Sequence, residues 1–196
     1  ALRHPELAAD MTRSGQGWAG FGGHDLPDPP RLRRVVRWTS RIVQVRHVET
    51  GQGVGYGRRW QAGRPTRIGL VPVGYADGLP RSLIGETGRE RMRVGLGEGP
   101  TGRPLAWAPV IGAISMDQVT IDLTDVPAGI DVSPGAAVEV VGRDPEAPND
   151  LGRIAAAAGT SHHELLCRIG SRVRRMTESA ADLAAASPLR PAVMPA

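Results

Sequence analysis

Two tyrosines flanked by glycine are the first candidates for chemistry in this sequence of 196 residues. Tyr56 lies between Gly55 and Gly57, and Tyr75 follows Gly74; the sequence has no other tyrosine. Glycine neighbours let the backbone turn sharply and approach a ligand closely. A phenol in such a turn can serve as an acid or a base, although its ordinary pKa of about 10 requires a nearby cation for base work at neutral pH. The alternative interpretation is that each tyrosine is a rim residue in a β-turn.

The basic residues are the second chemical feature. All 24 are arginine, so the sequence offers no lysine amine for a Schiff base. The net charge is only +4, and the pI of about 10.4 reflects arginines that do not titrate, so it is weak evidence for nucleic-acid binding. A nucleic-acid-binding barrel would need exposed aromatics interleaved with arginine. Aromatic residues make up 4% of the chain, so we expect no nucleic-acid partner and interpret the arginines around 31–37 and 172–175 as solvated or interface charges.

Composition also limits the compartment and the ligands. The single cysteine, Cys167, excludes an internal disulfide and favours a reducing, cytoplasmic location. No run of 18 apolar residues and no charged-then-apolar leader is present, so we expect neither a membrane span nor secretion. The first residue is Ala1 rather than Met, which indicates a fragment or a processed chain. No zinc-ligand spacing occurs, so we expect no metal site.

The elements that must position the tyrosines are predicted to be strands. The 26 glycines and 17 prolines favour a turn-rich β structure. Alternating β-branched residues predict one long strand over 34–48. Further strands are predicted at 67–73, 91–96, 110–115, 119–123 and 137–141, which together suit a compact antiparallel sheet or barrel. The glycine-rich stretch 83–108 predicts a longer hairpin or a surface loop.

Two short helices are predicted near the C-terminal end. The first begins at a cap formed by Asn149 or Asp150 and is ended by Gly159. The second begins at Ser161, where Glu164 three residues later completes a capping box, and it runs for about two turns.

Six sequence runs occur in an order that resembles the C-terminal part of alanine racemase, a pyridoxal-phosphate enzyme. They are RSG at 13–15, SRIVQV at 40–45, GQGVGYG at 51–57, VPVGYADG at 71–78, SMDQ at 115–118 and ELLCRIGSRV at 164–173. One such run would be weak evidence, but the ordered set is specific to the family.

The resemblance implies a fold and an activity. Members of the family combine an N-terminal (β/α)8 barrel, which carries the Schiff-base lysine, with a C-terminal β domain. This sequence would then supply an edge of the barrel and a linker at 1–30, the β domain at 31–176 and a flexible tail at 177–196, without the lysine. The implied reaction is the interconversion of L- and D-alanine with pyridoxal 5'-phosphate, in a cytoplasmic homodimer that supplies D-alanine for peptidoglycan precursors.

The resemblance also implies roles for the residues near the substrate. Tyr56 matches the acid/base that acts on one face of the substrate, presented across the dimer interface into the partner's site. Tyr75 matches a tyrosine that narrows the substrate channel, although a turn role is an alternative. The Met116 backbone N–H is expected near the substrate carboxylate, and Asp117 either belongs to the same site or caps a turn.

The cofactor side is implied in the same way. Arg13 matches the arginine that faces the pyridine nitrogen, and Gly15 and Gln16 match backbone amides that cradle the phosphate. His163 stands where the family usually has a phosphate-binding tyrosine; alternatively it is an ordinary residue of the first helical turn.

Two further interpretations compete with a racemase. The chain could be a non-catalytic β-domain remnant, or a module that pairs with a separate barrel chain. The residues that would select alanine over serine or another amino acid belong to the barrel, so the substrate stays open at this stage.

Overall fold

The computed structural model describes residues 6, 10, 11, 13–22 and 32–177. The predicted linker around 27–30 and nearly all of the predicted tail lie outside the described residues, and the predicted domain boundaries stay predictions. The described strands are β1 (Trp38–Arg41), β2 (Gln44–Val48), β3 (Gly53–Val54), β4 (Trp60–Gln61), β5 (Thr66–Val71), β6 (Arg93–Glu98), β7 (Pro104–Ile111), β8 (Val119–Asp122) and β9 (Ala137–Val141). The described helices are α1 (Leu151–Ala158) and α2 (His162–Arg168), with 3-10 turns at Gln16–Ala19, Tyr56–Arg58 and Arg81–Leu83.

Seven of these strands form one curled antiparallel sheet, a half-barrel, in the order β1-β9-β6-β7-β8-β5-β2. The remaining strands, β3 and β4, form a separate two-stranded ribbon. The prediction of a mainly β, antiparallel domain with short C-terminal helices is therefore confirmed.

The curl follows from the link between β1 and β2. These strands occupy opposite edges of the sheet, yet only Ile42 and Val43 separate them. The Ile42 N–H donates to the carbonyl of Ala136, just before β9, whereas the Val43 N–H donates to the carbonyl of Leu70 in β5. Because so short a link spans only about 10 Å, the two edges must come close together.

This link corrects the prediction of one continuous strand over 34–48. The segment forms two strands that pair with different edges, β1 with β9 and β2 with β5. The alternation of burial shifts at the break: Ile42 is fully buried, Val43 and Gln44 are both exposed, and Val45 is the next residue that packs against the core. The pattern alone does not show which partner each half has.

The centre of the sheet is the β6–β7 hairpin. The stretch 83–108 contains β6 and much of β7, so the hairpin alternative is confirmed and the surface-loop alternative is wrong. Val94 and Leu96 of β6 are buried in the main core. The strand predicted at 110–115 instead starts at Pro104 and ends at Ile111, because Gly112 leaves the extended conformation at φ 71°.

Both helices begin at the predicted caps. The Asp150 carboxylate accepts from the N–H groups of Gly152 and Arg153 at the start of α1, and Gly159 ends that helix at φ 73°. The Ser161 hydroxyl accepts from the Glu164 N–H over 3.2 Å. The Glu164 carboxylate contacts Thr160 and Arg168 instead of completing the capping box.

Two of the arginines interpreted as solvated or interface charges, Arg34 and Arg37, have ion-pair partners within the chain. Arg34 Nε lies 2.8 Å from the Asp150 carboxylate, and the two side chains are only 13% and 4% exposed. Arg37 Nε lies 2.7 Å from the buried carboxylate of Glu139 in β9. These pairs tie the entry to β1 to the helical end of the domain and to the sheet. Within the described residues, neither helix has the length or apolarity needed to cross a membrane.

Candidate functional site

Three glycine-containing loops meet at one place beside the sheet. They are the turn at Tyr56 between β3 and β4, the loop 72–80 after β5, and the loop 112–118 before β8. A Cβ at Gly55 would lie 2.9 Å from the Ala113 nitrogen, and one at Gly74 would lie 2.2 Å from the Met116 carbonyl oxygen. Side chains at these two positions would separate the backbones, so glycine is required for the loops to touch.

Backbone hydrogen bonds join the loop of Tyr75 to that of Met116. The Tyr75 N–H donates to the Ser115 carbonyl over 3.0 Å, and the Ala76 N–H donates to the Met116 carbonyl over 2.9 Å. Within its own loop, the Asp77 carboxylate accepts from the Gly74 N–H over 2.8 Å. These contacts fix the backbone of Tyr75 beside that of Met116.

Tyr56 stands out from the surface beside this junction. Its side chain is 76% exposed, and Gly55 and Gly57 on either side have φ near 73° and 72°. Arg58 continues the turn at φ 47°, a left-handed conformation that a residue with a Cβ adopts at some cost. Tyr56 borders an open groove of about 570 Å³ that Arg46 of β2 also lines. The groove therefore places a phenol and a guanidinium on one concave surface.

Asp117 is held by an arginine from beyond α2. Arg172 Nη2 donates to Asp117 Oδ1 over 2.6 Å, and Arg172 Nε lies 3.4 Å from Asp77 Oδ1. The hydrogen bond to Asp117 is the main cause that raises the pKa of Arg172 above its ordinary value. Asp117 thus has a partner outside its own turn, and Arg172, although exposed, is paired with two carboxylates.

A second group of predicted residues meets at the start of α2. The Oε1 atom of Gln16 lies 2.7 Å from Nε2 of His162. His162 is stacked between Phe21, with ring centroids 4.0 Å apart, and His163, at 4.5 Å. Burial lowers the pKa of His162, and the charges of His163 and Arg34 lower it further. The stack joins the N-terminal segment to α2 and brings Gln16 and His163 to one surface.

Arg13 and Gly15 lie at the edge of this second group. Both are exposed, and a Cβ at Gly15 would meet no atom within 4 Å. Among the described residues, no hydrogen bond or ring contact joins Arg13, Gly15, Gln16 or His163 to the group of Tyr56, Tyr75, Met116 and Asp117. The predicted site residues therefore form two separate groups in one chain.

The structure adds two residues that the sequence interpretation missed. The family resemblance points to His163, whereas in the structure its neighbour His162 makes the contact to Gln16. Arg172 was grouped with the surface arginines. Adjacency to a predicted site residue could have pointed to His162, but no local pattern distinguishes Arg172 from Arg174.

Comparisons with known proteins cover most of the chain. A family model described as "Alanine racemase, C-terminal domain" matches residues 35–177. An alanine racemase of Acidiphilium cryptum is 36% identical over 177 residues, which is 89% of this chain and 43% of that protein. An alanine racemase of Aromatoleum aromaticum is 41% identical over 159 residues, which is 79% of this chain and 38% of that protein.

Solved structures show the same similarity. The alanine racemase of Bartonella henselae with covalently bound pyridoxal phosphate is 30% identical, with a TM-score of 0.69, over 85% of this chain and 41% of that one. The alanine racemase of Streptomyces coelicolor is 34% identical, with a TM-score of 0.68, over 85% of this chain and 40% of that one. The chain spans about two fifths of the length of these relatives.

Proposed function

The chain belongs to the alanine racemase C-terminal domain family, and on that premise we propose that it acts as the C-terminal part of an enzyme that interconverts L- and D-alanine. The finer elements of this proposal are pyridoxal phosphate as the cofactor, alanine as the substrate, a homodimer, and a cytoplasmic role in D-alanine supply. They rest on the family and on the geometry of the two residue groups.

The convergence of the three loops is the observation that carries the proposal. It joins the loops of Tyr56, Tyr75 and Met116, which are far apart in sequence, and Tyr56 lines a groove at this junction. Tyr56 is exposed, and no described residue accepts or donates a hydrogen bond at its hydroxyl. A turn that existed only for folding would not need a free phenol on glycine-flanked backbone.

The residues of the second group fit the phosphate end of the proposed cofactor. Open space surrounds the Cα of Gly15, and His163 in the first turn of α2 is exposed, so each is accessible to an anion. Imidazole and backbone N–H groups are donors suited to phosphate. Arg13 carries the permanent charge that would face the ring nitrogen. Covalent attachment needs an amine, and this sequence contains no lysine.

Racemisation needs a proton removed from one face of the amino acid and returned to the other. Pyridoxal phosphate, when bound, supplies an electron sink that stabilises the carbanion. Within this chain, Tyr56 is the residue proposed to hold or deliver the proton at its phenolic oxygen. The Met116 N–H would orient the substrate carboxylate, and Tyr75 would narrow the approach.

A homodimer would explain why the two groups of proposed site residues are separate within one chain. In one chain, Tyr56 and Met116 do not contact the residues proposed to hold the cofactor. If each protomer presents Tyr56 to its partner's cofactor, the separation within one chain is what the shared site requires. The exposure of Met116, 53%, and of Tyr56 supports this arrangement.

The proposal is tested in a fusion of this chain with the part of the Acidiphilium cryptum relative that it does not cover. Tyr56→Phe keeps the ring and deletes the ionisable hydroxyl, so turnover should fall at least about 100-fold, as for loss of a general acid or base. Solvent hydrogen exchange should be lost on one face of the substrate. Tyr75→Phe, which deletes the other phenol, should retain most of the turnover. A Tyr56→Phe fusion as active in both directions as the parent would leave Tyr56 as a turn residue.

Because this sequence contains no lysine amine, we propose that the chain is inactive by itself, whether its barrel belongs to the same protein or to a separate chain. The chain alone should show no alanine racemisation. Borohydride reduction with pyridoxal phosphate, followed by mass spectrometry, should find no adduct on an interior side chain. Turnover by the isolated chain together with such an adduct would contradict this expectation.

A further inference from the structure

Arg172 contacts acidic side chains from both loops that carry the proposed substrate contacts. Its Nη2 atom lies 2.6 Å from Asp117, directly after Met116, and its Nε atom lies 3.4 Å from Asp77, two residues after Tyr75. One guanidinium therefore spans the two loops at the end where Tyr75 and Met116 stand.

The two carboxylates differ in what they hold. Asp77 is nearly buried, and its second oxygen, Oδ2, accepts from the Gly74 N–H, so it fixes the shape of the Tyr75 turn from inside. Asp117 is exposed, and among the described residues Arg172 is the one side chain that donates a hydrogen bond to its carboxylate. Removal of Arg172 would leave the Tyr75 turn its internal bond but would release Asp117.

The segment that carries Arg172 is itself anchored. Arg175 Nη2 donates to the Ile169 carbonyl over 2.7 Å, which folds the chain back on the end of α2. A Cβ at Gly78 would lie 2.8 Å from the Arg168 carbonyl oxygen, so the Tyr75 loop also packs against that end. The segment that carries the Arg172 guanidinium thus follows a helix end that already packs against the Tyr75 loop.

Neighbouring arginines do not have this arrangement. Arg168 pairs with Glu164 within α2, and the Arg81 guanidinium carbon lies 5.5 Å from the centre of the Tyr75 ring. Arg174 makes no hydrogen bond or ion pair with the part of the chain that the structure describes. A planar guanidinium can direct separate N–H groups to two carboxylates, which a lysine ammonium reproduces poorly.

We propose that Arg172 is a positioning residue that holds the Tyr75 loop against the Met116 loop. In this way it sets the width of the opening through which the substrate reaches these two loops. The contact of Arg172 with both loops follows from the geometry of this chain, whereas its effect on substrate binding rests on the proposed function. Arg172 itself takes no part in proton transfer.

The effect of Arg172 on the junction between the two loops is measured first, by amide hydrogen exchange on the full chain. The N–H groups of Tyr75 and Ala76 bond across the junction, so Arg172→Ala should speed their exchange about twofold to fivefold. Arg172→Lys should give an intermediate rate, and Arg174→Ala should leave both rates unchanged. Equal exchange in Arg172→Ala and the parent chain would overturn this role of Arg172.

The effect on substrate is measured in the fusion with the Acidiphilium cryptum part. Arg172→Ala should raise the KM for alanine about fivefold with kcat nearly unchanged, because it loosens binding residues and not the proton-transfer group. Arg174→Ala should change neither constant. A fall in kcat at constant KM would overturn the positioning role. If the parent fusion does not racemise alanine, the proposed function fails, and the exchange rates still decide whether Arg172 ties the loops.

Discussion

The N–H of Ala76 donates to the carbonyl oxygen of Met116 over 2.9 Å, at the point where Gly74 lies against the same carbonyl. This contact joins two loops, one that follows β5 and one that precedes β8. It brings Tyr75 and Met116 to the same side of the sheet, and it depends on a residue without a Cβ at position 74.

Gly74→Ala should therefore open the junction. The new Cβ would lie 2.2 Å from the Met116 carbonyl oxygen, and because that oxygen is backbone, it cannot rotate away. We expect the free energy of unfolding to fall by about 2 to 3 kcal/mol, as measured by urea denaturation. Gly63→Ala, where no atom lies within 4 Å of the Cβ, should cause no comparable loss. Equal stability of the two variants would contradict the close approach.

Asp150→Ala should be among the most destabilising substitutions in the helical end of the domain. It removes the cap of α1 and leaves the half-buried Arg34 without its carboxylate. The expected loss in the free energy of unfolding is about 3 to 5 kcal/mol, from urea denaturation. Asp150→Asn keeps an oxygen for the cap and should lose less. If Asn and Ala lose the same amount, the cap contributes nothing measurable.

His162 should make stability depend on pH in the acidic range. Because burial lowers its pKa in the folded state, the unfolded chain binds this proton more readily. Stability should thus decline as the pH falls from about 6.5 through the lower pKa of the folded state. His162→Gln removes the titrating group, so its urea midpoint should fall less over that interval. Parallel curves for the two proteins would exclude His162 as the cause.

Tyr56→Phe should leave the fold intact. The side chain is 76% exposed, and its hydroxyl has no hydrogen-bond partner in the described part of the chain. The free energy of unfolding should stay within about 0.5 kcal/mol of the parent value. A loss of activity in the fusion would then reflect chemistry at the phenol. A large drop in stability would instead indicate a structural role for the hydroxyl.

Local patterns predicted the β class, both helix caps and the two tyrosine turns. Each depends on residues adjacent in sequence: Asp150 bonds two N–H groups just after it, and glycines flank Tyr56. Such short-range geometry recurs wherever the same residue types occur. The roles proposed for Tyr56 and Met116 in the partner's site come from the family resemblance, because no local pattern contains them.

The amino-acid sequence by itself determined the local elements and the absence of lysine, whereas the tertiary structure decided which elements meet. Ile42 and Val43 are neighbours in one alternating run, but they bond to opposite edges of the sheet. Arg172 and Arg174 look alike in sequence, and only the first reaches Asp117, 55 residues away. Pairing over such separations depends on how the whole sheet curls and packs, because a strand's alternation is the same whichever partner lies beside it.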